Sequence, residues 1–171
     1  MDSYAKLAKD TIEEYIKIKK TIAAPFDLPP EIYSKRAGVF VTIRKGEKLR
    51  GCVGTHLPTK KNIAEEIISN AVSACSRDYR FAPITVEELP NLSYEVSVLS
   101  EPILLKNLEK HNPKKDGIIV RCADGRCGLL LPDLEGVDTA EEQIAIACRK
   151  GGIDSRVDNV KLYYFTAEKH K

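Results

Sequence analysis

The segment with the clearest chemical potential places a cysteine between two glycines, at residues 50–54 of the 171-residue chain. Cys52 follows Gly51, Gly54 comes two positions later, and Arg50 lies two positions before the cysteine. Glycines at a strand end let a ligand or another backbone approach closely, and a nearby guanidinium favours the thiolate form of a cysteine. Cys52 is therefore a candidate catalytic nucleophile or thiolate ligand. The alternative is a small, inert side chain packed at a tight turn, since cysteine is among the residue types most often buried.

A histidine four residues after this cysteine is the second, weaker catalytic candidate. His56 could act as a base or as a second metal ligand if a loop brought its ring to the sulfur of Cys52. Catalytic cysteine–histidine pairs are neighbours in space rather than in sequence, so the spacing alone does not establish a pair. The alternative is an exposed histidine at the exit of a hairpin.

A dense charged loop follows a helix that is predicted to end near residue 77. Arginines at a helix terminus suit the binding of a carboxylate or a phosphate. The alternative is that an Arg–Asp ion pair holds the shape of the loop. With the cysteine segment, the candidate binding residues are Arg50, Gly51, Gly54, Arg77, Asp78, Arg80 and Phe81.

Two further cysteines flank a strong turn signal. Asp124-Gly125 predicts a two-residue hairpin turn, which places Cys122 directly opposite Cys127 on one face of the hairpin. Opposed cysteines can lie within disulfide distance, so the pair is a candidate redox pair or half of a metal site. The alternative, in a reducing cytosol, is two reduced thiols packed across the strands.

Hydrophobic periodicity supplies the elements that must position these residues. Helical spacing predicts an amphipathic helix over residues 3–22, and capping-box spacing marks further helix starts at Asn62 and Thr139. Alternating patterns predict a hairpin at 38–54, a strand at 92–99, a second hairpin at 118–131 and a last strand at 160–166. Because hairpins and helices interleave without regular βαβ spacing, the predicted fold class is α+β, with mostly antiparallel hairpins and packed helices. No linker divides the chain, so residues 1–171 are expected to form a single domain.

Composition argues against several classes of protein. Lys+Arg 27 against Asp+Glu 25 leave a net charge of +2, which argues against a dedicated duplex-DNA binder. No stretch approaches the ~20 apolar residues of a membrane helix, and the N-terminus does not resemble a signal peptide. Five cysteines without a Cys-x-x-Cys motif do not suggest a secreted disulfide framework. We therefore expect a cytoplasmic protein with no membrane contact.

No sequence motif for a cofactor or metal is recognisable either. The chain lacks a phosphate loop, a dinucleotide fingerprint and paired zinc knuckles, so no cofactor and no metal are expected. His111 and His170 lie in lysine-rich polar contexts and are expected to be solvated.

Several separate segments, in order, resemble one known family. Residues 49–54, LRGCVG, match the six-residue signature of the AMMECR-one family, and residues 38–41, 76–83, 87–90, 95–99 and 128–132 match the settings that surround it. The resemblance runs from about residue 4 to residue 166. Residues 135–139 and 142–145 look like a narrower group, the protein A components of the AmmeMemoRadiSam system, whose members are encoded beside a Memo-like protein and a radical-SAM protein.

The resemblance implies a compact α+β domain with a larger and a smaller lobe around a groove, and it places the signature segment at that groove. It implies no particular reaction, so whether the chain is an enzyme stays open. The leading hypothesis is a subunit that binds a small molecule or a partner, or an enzyme component, acting with Memo-like and radical-SAM proteins. The alternatives are a stand-alone cysteine-dependent enzyme and an RNA-binding or RNA-modification factor, although the charge balance disfavours nucleic acid. Oligomeric state and substrate stay open.

Overall fold

A computed structural model describes residues 1–171 and contains helices and antiparallel strands in one chain. In chain order the elements are α1 (Ser3–Ile18), α2 (Pro30–Ser34), β1 (Val39–Lys45), β2 (Lys48–Thr55), α3 (Ile63–Ser76), a 3₁₀ turn (Val86–Asn91), β3 (Leu92–Leu99), β4 (Ile103–Leu104), a 3₁₀ turn (Leu108–Lys110), β5 (Asp116–Cys122), β6 (Cys127–Leu130), α4 (Ala140–Gly151) and β7 (Val160–His170). The predicted α+β class is confirmed. None of the helices combines the length and the apolarity that crossing a membrane requires.

The first helix is shorter than its hydrophobic pattern predicted. It begins at an Asp2 cap, whose carboxylate accepts the backbone N–H groups of Tyr4 and Ala5. It ends at Lys19, which adopts the left-handed conformation with φ 58° and donates its N–H to the Tyr15 carbonyl. The prediction of a helix to residue 22 was wrong at this end, because a left-handed residue terminates the helical hydrogen-bond ladder.

The chain forms two compact units, of which the first comprises Met1–Val98 and Glu168–Lys171. In this unit β1 is the central strand and pairs antiparallel with β2 on one side and β3 on the other. One face of β1 carries Val39, Val41 and Ile43, all fully buried in a core to which α1 and α3 contribute. The opposite face carries Thr42, whose register partner on β2 is Cys52.

Both ends of the chain meet within this first unit. The backbone N–H of Asp2 donates to the carbonyl of Lys171 at 2.7 Å. The ring of His170 stacks on Tyr4 with centroids 3.8 Å apart, and its Nδ1 lies 2.8 Å from an Asp2 carboxylate oxygen. Lys171 also forms an ion pair with Glu95 on β3. His170 is therefore largely buried, and the prediction that it is solvated was wrong.

The second unit, Leu99–Ala167, repeats the same order of elements. Its hairpin β5–β6 is followed by α4 and then β7, and β5 is central between β6 and β7. The core between this sheet and α4 contains Ile118, Val120, Leu130 and Ala147. A capping box from Thr139 and Glu142 begins α4, and Gly152 in the left-handed conformation ends it.

A buried polar pair in this second unit contradicts another sequence expectation. His111 is only 8% exposed, and its Nε2 donates to the amide oxygen of Gln143, itself fully buried, at 2.5 Å. The Gln143 amide nitrogen in turn donates to the Asp116 carbonyl. His111 is thus a buried residue that holds Gln143, which in turn joins α4 to the start of β5, and not the solvated side chain that its polar sequence context predicted.

The turn between β5 and β6 has a different register from the predicted one. Arg121 pairs with Cys127, whereas the Cys122 N–H donates to the Arg126 carbonyl at 2.8 Å. The loop is therefore longer than two residues, and Gly125 alone takes a positive φ, 93°. The prediction that Cys122 lies directly opposite Cys127 was wrong, because a one-residue change of register moves a side chain to the other face. Both thiols are free.

Candidate functional site

The backbone of Cys52 is held by an aspartate–arginine pair from the loop after α3. The Cys52 N–H donates to Asp78 Oδ2 at 2.9 Å, and the Cys52 carbonyl accepts a hydrogen bond from Arg80 Nη2 at 3.0 Å. Arg80 and Asp78 are themselves joined by two hydrogen bonds of 2.9 and 2.7 Å. Together the two side chains bind the backbone N–H and C=O groups of Cys52 at the open edge of β2, as a neighbouring strand otherwise would.

The aspartate of this clamp is buried and strongly ionised. The Asp78 side chain is only 4% exposed. Hydrogen bonds from the Arg80 guanidinium, with a smaller contribution from the Cys52 N–H, lower the pKa of Asp78 to about 2 against the opposing effect of burial. The ion-pair alternative for this loop is thus the observed arrangement for Asp78 and Arg80.

Arg50 forms a second clamp, with a residue that the sequence analysis did not select. Its Nε and Nη2 bind the two carboxylate oxygens of Glu88, each at 2.9 Å, and its Nη1 donates to the Ala82 carbonyl. The Arg50 guanidinium lowers the pKa of Glu88 to about 2. Glu88 also completes a capping box with Thr85. That Thr-x-x-Glu spacing was the available signal for Glu88, although it gave no hint of Arg50 as a partner.

The thiol of Cys52 contacts the hydroxyl group of a threonine on the neighbouring strand. Its Sγ lies 3.4 Å from Thr42 Oγ1, the residue directly across the strand pair. The side chain is half-buried. A hydroxyl of ordinary acidity does not withdraw a proton from a thiol at neutral pH, so the contact orients the sulfur without activating it.

The two glycines of the signature are explained by packing within the chain. A Cβ atom on Gly51 would collide with the backbone carbonyl of Ala74 on α3, and one on Gly54 would collide with the ring of Phe40. The close approach that the glycines predicted therefore occurs, and the approaching groups belong to the protein itself. Helix α3 consequently lies directly on the strand that carries Cys52.

Aromatic side chains complete the surface next to the two clamps. The guanidinium of Arg50 lies 6.0 Å from the centre of the Phe81 ring, and that of Arg80 lies 5.4 Å from it. Both are cation–π distances. Tyr79, between the two clamp residues of its loop, is 95% exposed. The structure thus brings Arg50, Cys52, Asp78, Arg80 and Phe81 together.

Two of the predicted site residues lie outside the contacts described so far. His56 lies in the bend that follows β2, which ends at Thr55. Arg77 ends α3, and its side chain lines a pocket of about 460 Å³ formed by the outer face of α3 and residues 21–24. The signature residues do not line that pocket.

Glu66 is a buried carboxylate that the sequence analysis missed. It accepts hydrogen bonds from Thr55 Oγ1 and from the backbone N–H groups of Thr59 and Lys60, each at 2.7 Å. Burial opposes ionisation of Glu66, but these hydrogen bonds outweigh it and keep its pKa below the ordinary value. The residue fixes the turn that leaves β2, so its role is to hold the signature strand in place.

One cluster in the second unit has the composition of a metal site. The ligand atoms of Cys122, Asp124 and Asp158 lie within 4.8 Å of one another. The Arg126 guanidinium contacts both carboxylates, at 2.7 Å for Asp124 and 2.8 Å for Asp158. The Arg126 guanidinium therefore already neutralises the negative charge of this cluster. The three residues belong to an ion-pair network, centred on Arg126, that connects the start of β6 to the chain after α4.

These features define an α+β protein in which a cysteine-bearing edge strand is locked by two arginine–carboxylate clamps. The family model described as AMMECR1 matches residues 5–170, and the chain belongs to the AMMECR1 family. A *Thermotoga maritima* protein is 46% identical over 169 residues, covering 98% of this chain and 97% of that protein. Protein CA_C1420 of *Clostridium acetobutylicum* is 42% identical over 171 residues, and these cover 99% of this chain but 36% of that protein.

A solved structure has the same fold. The crystal structure of the uncharacterized protein PH0010 from *Pyrococcus horikoshii* matches with a TM-score of 0.87 and 37% sequence identity. The match covers 97% of this chain and 88% of that one. The mixed helical and antiparallel architecture is therefore the architecture of the family.

Proposed function

We propose that this chain is a binding subunit that docks a protein partner through the loop at residues 77–83, and that it does not carry out cysteine chemistry alone. The observation that carries the proposal is that the arginines of the site are already bound to other groups of the chain. Arg50 is bound to Glu88, and Arg80 is bound to Asp78 and to the Cys52 carbonyl. These side chains hold β2 and the loop at residues 77–83 in place, and Tyr79 in that loop is exposed to the solvent.

The neighbours of the thiol disfavour a stand-alone cysteine enzyme. A nucleophilic cysteine needs a base or a cation within hydrogen-bonding reach of its sulfur. The sulfur of Cys52 contacts the Thr42 hydroxyl at 3.4 Å, and a hydroxyl is neither a base nor a cation at neutral pH. A role for Cys52 in partner-dependent turnover is compatible with this arrangement, because a partner could supply a base.

Tyrosine and arginine on a rigid frame are the residue types that dominate binding energy at protein interfaces. The frame here costs little to order on binding, since both clamps are already formed. The longer relative from *Clostridium acetobutylicum*, in which the matched region is about a third of the protein, supports a role beside another protein module. By the family resemblance, the partners we propose are a Memo-like protein and a radical-SAM protein.

The proposal is tested by measuring association with the Memo-like and radical-SAM proteins of the same genome. Isothermal titration calorimetry should detect binding of the intact chain to one of them. A Tyr79→Ser variant should bind at least about tenfold more weakly, in line with the loss of a central interface tyrosine. Phe26→Ser is the matched control, because Phe26 is an equally exposed aromatic residue on another segment of the first unit.

Either of two results would contradict docking through this loop. The first is an intact chain that binds neither protein, and the second is a Tyr79→Ser variant that binds as well as the intact chain. Cys52→Ser provides a separate test of chemistry. Full binding with full partner-dependent turnover in that variant would exclude a nucleophilic role, whereas full binding with lost turnover would assign one.

A further inference from the structure

Three strands of the second unit place a thiol, a guanidinium and an ammonium group side by side. Arg121 on β5 lies directly opposite Cys127 on β6 and directly opposite Lys161 on β7. Residues directly opposite each other in antiparallel strands project from the same face, with Cβ atoms about 5 Å apart. The row Cys127–Arg121–Lys161 therefore lies across one face of the sheet, on the side opposite to the core beneath α4.

The two cations of this row have no carboxylate partner. Arg126, Arg156 and Lys114 of the same unit all form ion pairs, but Arg121 and Lys161 form none. Arg121 is half-buried and Lys161 is exposed. Like charges directly opposite each other on a sheet destabilise it, so this pair raises the energy of the empty protein and is relieved by a bound anion.

The guanidinium is also held in place. Tyr163 lies two residues from Lys161 on the same face of β7, and its ring centre is 5.2 Å from Arg121 Cζ. This cation–π contact fixes the orientation of the guanidinium and leaves its N–H groups without an acceptor from the protein. The next row on the same face, Leu129–Ile119–Tyr163, is apolar and aromatic.

We propose that Arg121 and Lys161 form a binding site for a phosphate monoester, independent of the proposed docking loop. The charge of the site selects this ligand class. Two adjacent cations match the charge of about −1.5 to −2 that a phosphate monoester carries near pH 7, whereas a carboxylate neutralises only one of them. The planar guanidinium can bind two phosphate oxygens at once, and the half-buried side chains of Leu129 and Tyr163 beside it offer an apolar surface to the organic part of the ligand.

The test uses phenyl phosphate as the probe, with benzoate and phenol as comparisons of lower charge. Calorimetric titration of the full chain should give binding that is about tenfold or more tighter for phenyl phosphate than for benzoate, and no binding of phenol. Arg121→Gln and Lys161→Gln should each weaken phenyl phosphate binding at least about tenfold. Lys106→Gln, which removes an exposed cation from another segment of the same unit, should leave it unchanged.

Stability in the absence of ligand separates a binding role from a structural one. Since Lys161 repels Arg121, Lys161→Gln should leave the melting temperature unchanged or raise it, and it should abolish the rise that phenyl phosphate causes in the intact chain. A lowered melting temperature of ligand-free Lys161→Gln would overturn the proposal, as would equal binding of phenyl phosphate and benzoate. Length-dependent binding of oligouridylate through Arg121, without binding of phenyl phosphate, would also overturn it in favour of a nucleic-acid surface.

Discussion

Replacing Asp78 by asparagine should lower the free energy of unfolding near neutral pH, by an amount that follows from the lowered pKa of Asp78. The variant keeps the size of the side chain and removes the charge that Arg80 and the Cys52 N–H bind. A pKa of about 2 in the folded protein, against an ordinary value of 3.8, corresponds to about 2 kcal/mol of stabilisation. For a chain of this length, that loss lowers the melting temperature by about 4 to 8 °C.

The pH dependence gives the prediction its sign. The folded-state pKa of Asp78 is depressed, so its stabilisation is complete above pH 4 and is lost as the pH falls towards 2. About half of it should be gone at pH 3. Thermal melts of the intact chain and Asp78→Asn should therefore differ most at pH 7 and converge on acidification. The pKa of Glu88 is lowered in both proteins, so its contribution cancels in the difference.

Hydrogen exchange provides a local readout of the same change. The amide of Cys52 should exchange faster in Asp78→Asn, because its acceptor has lost its charge, while amides in the core of α3 should keep their protection relative to global unfolding. A stability difference that stays constant between pH 7 and pH 3 would refute the electrostatic reasoning. Equal melting temperatures at pH 7 would refute the clamp itself.

Two further predictions concern the packing of the signature strand. Gly51→Ala should lower stability by about 1–3 kcal/mol in denaturant titrations, because the added methyl group meets the Ala74 carbonyl; an unchanged unfolding midpoint would show that α3 moves away without cost. Cys52→Ser should melt close to the intact chain, whereas Cys52→Leu should lose about 1–3 kcal/mol because it adds bulk to a half-buried site on β2. The reverse order of the two melting temperatures would contradict this account of Cys52.

The elements of this fold followed from local sequence, because hydrophobic spacing and caps act over a few residues. The hairpin around residues 38–54 and the helices capped by Asn62 and Thr139 were predicted from such signals, and the structure contains them. The cysteine segment and its charged loop were selected for the same reason, since unusual residue types cluster within them. The Asp78–Arg80 pair lies within one loop and was one of two readings that the sequence left open.

Partners that are far apart in sequence could not be assigned. Glu88 binds Arg50 across 38 positions, and Gln143 binds His111 across 32. No local pattern links such residues, so Glu88 was overlooked and His111 was assigned to the solvent. The fold alone determines which of many polar residues meet.

The prediction of the β5–β6 register was wrong for a conformational reason. A two-residue turn of the kind that Asp-Gly favours needs positive φ at both residues. In the structure only Gly125 adopts a positive φ, and Asp124 instead binds the N–H and the guanidinium of Arg126. That side-chain interaction favours the longer loop, and the longer loop separates Cys122 from Cys127.

The meeting of the two chain ends has a consequence for synthesis of the protein on the ribosome. The first unit is completed by Glu168–Lys171, and the 69 residues of the second unit are translated before them. At about 5–20 residues per second, the C-terminal residues emerge roughly 3 to 14 s after the rest of the first unit. During that interval, in which the second unit is itself being synthesised, Asp2, Tyr4 and Glu95 lack His170 and Lys171. The N-terminal unit therefore cannot complete its contacts until the whole of the second unit has been synthesised.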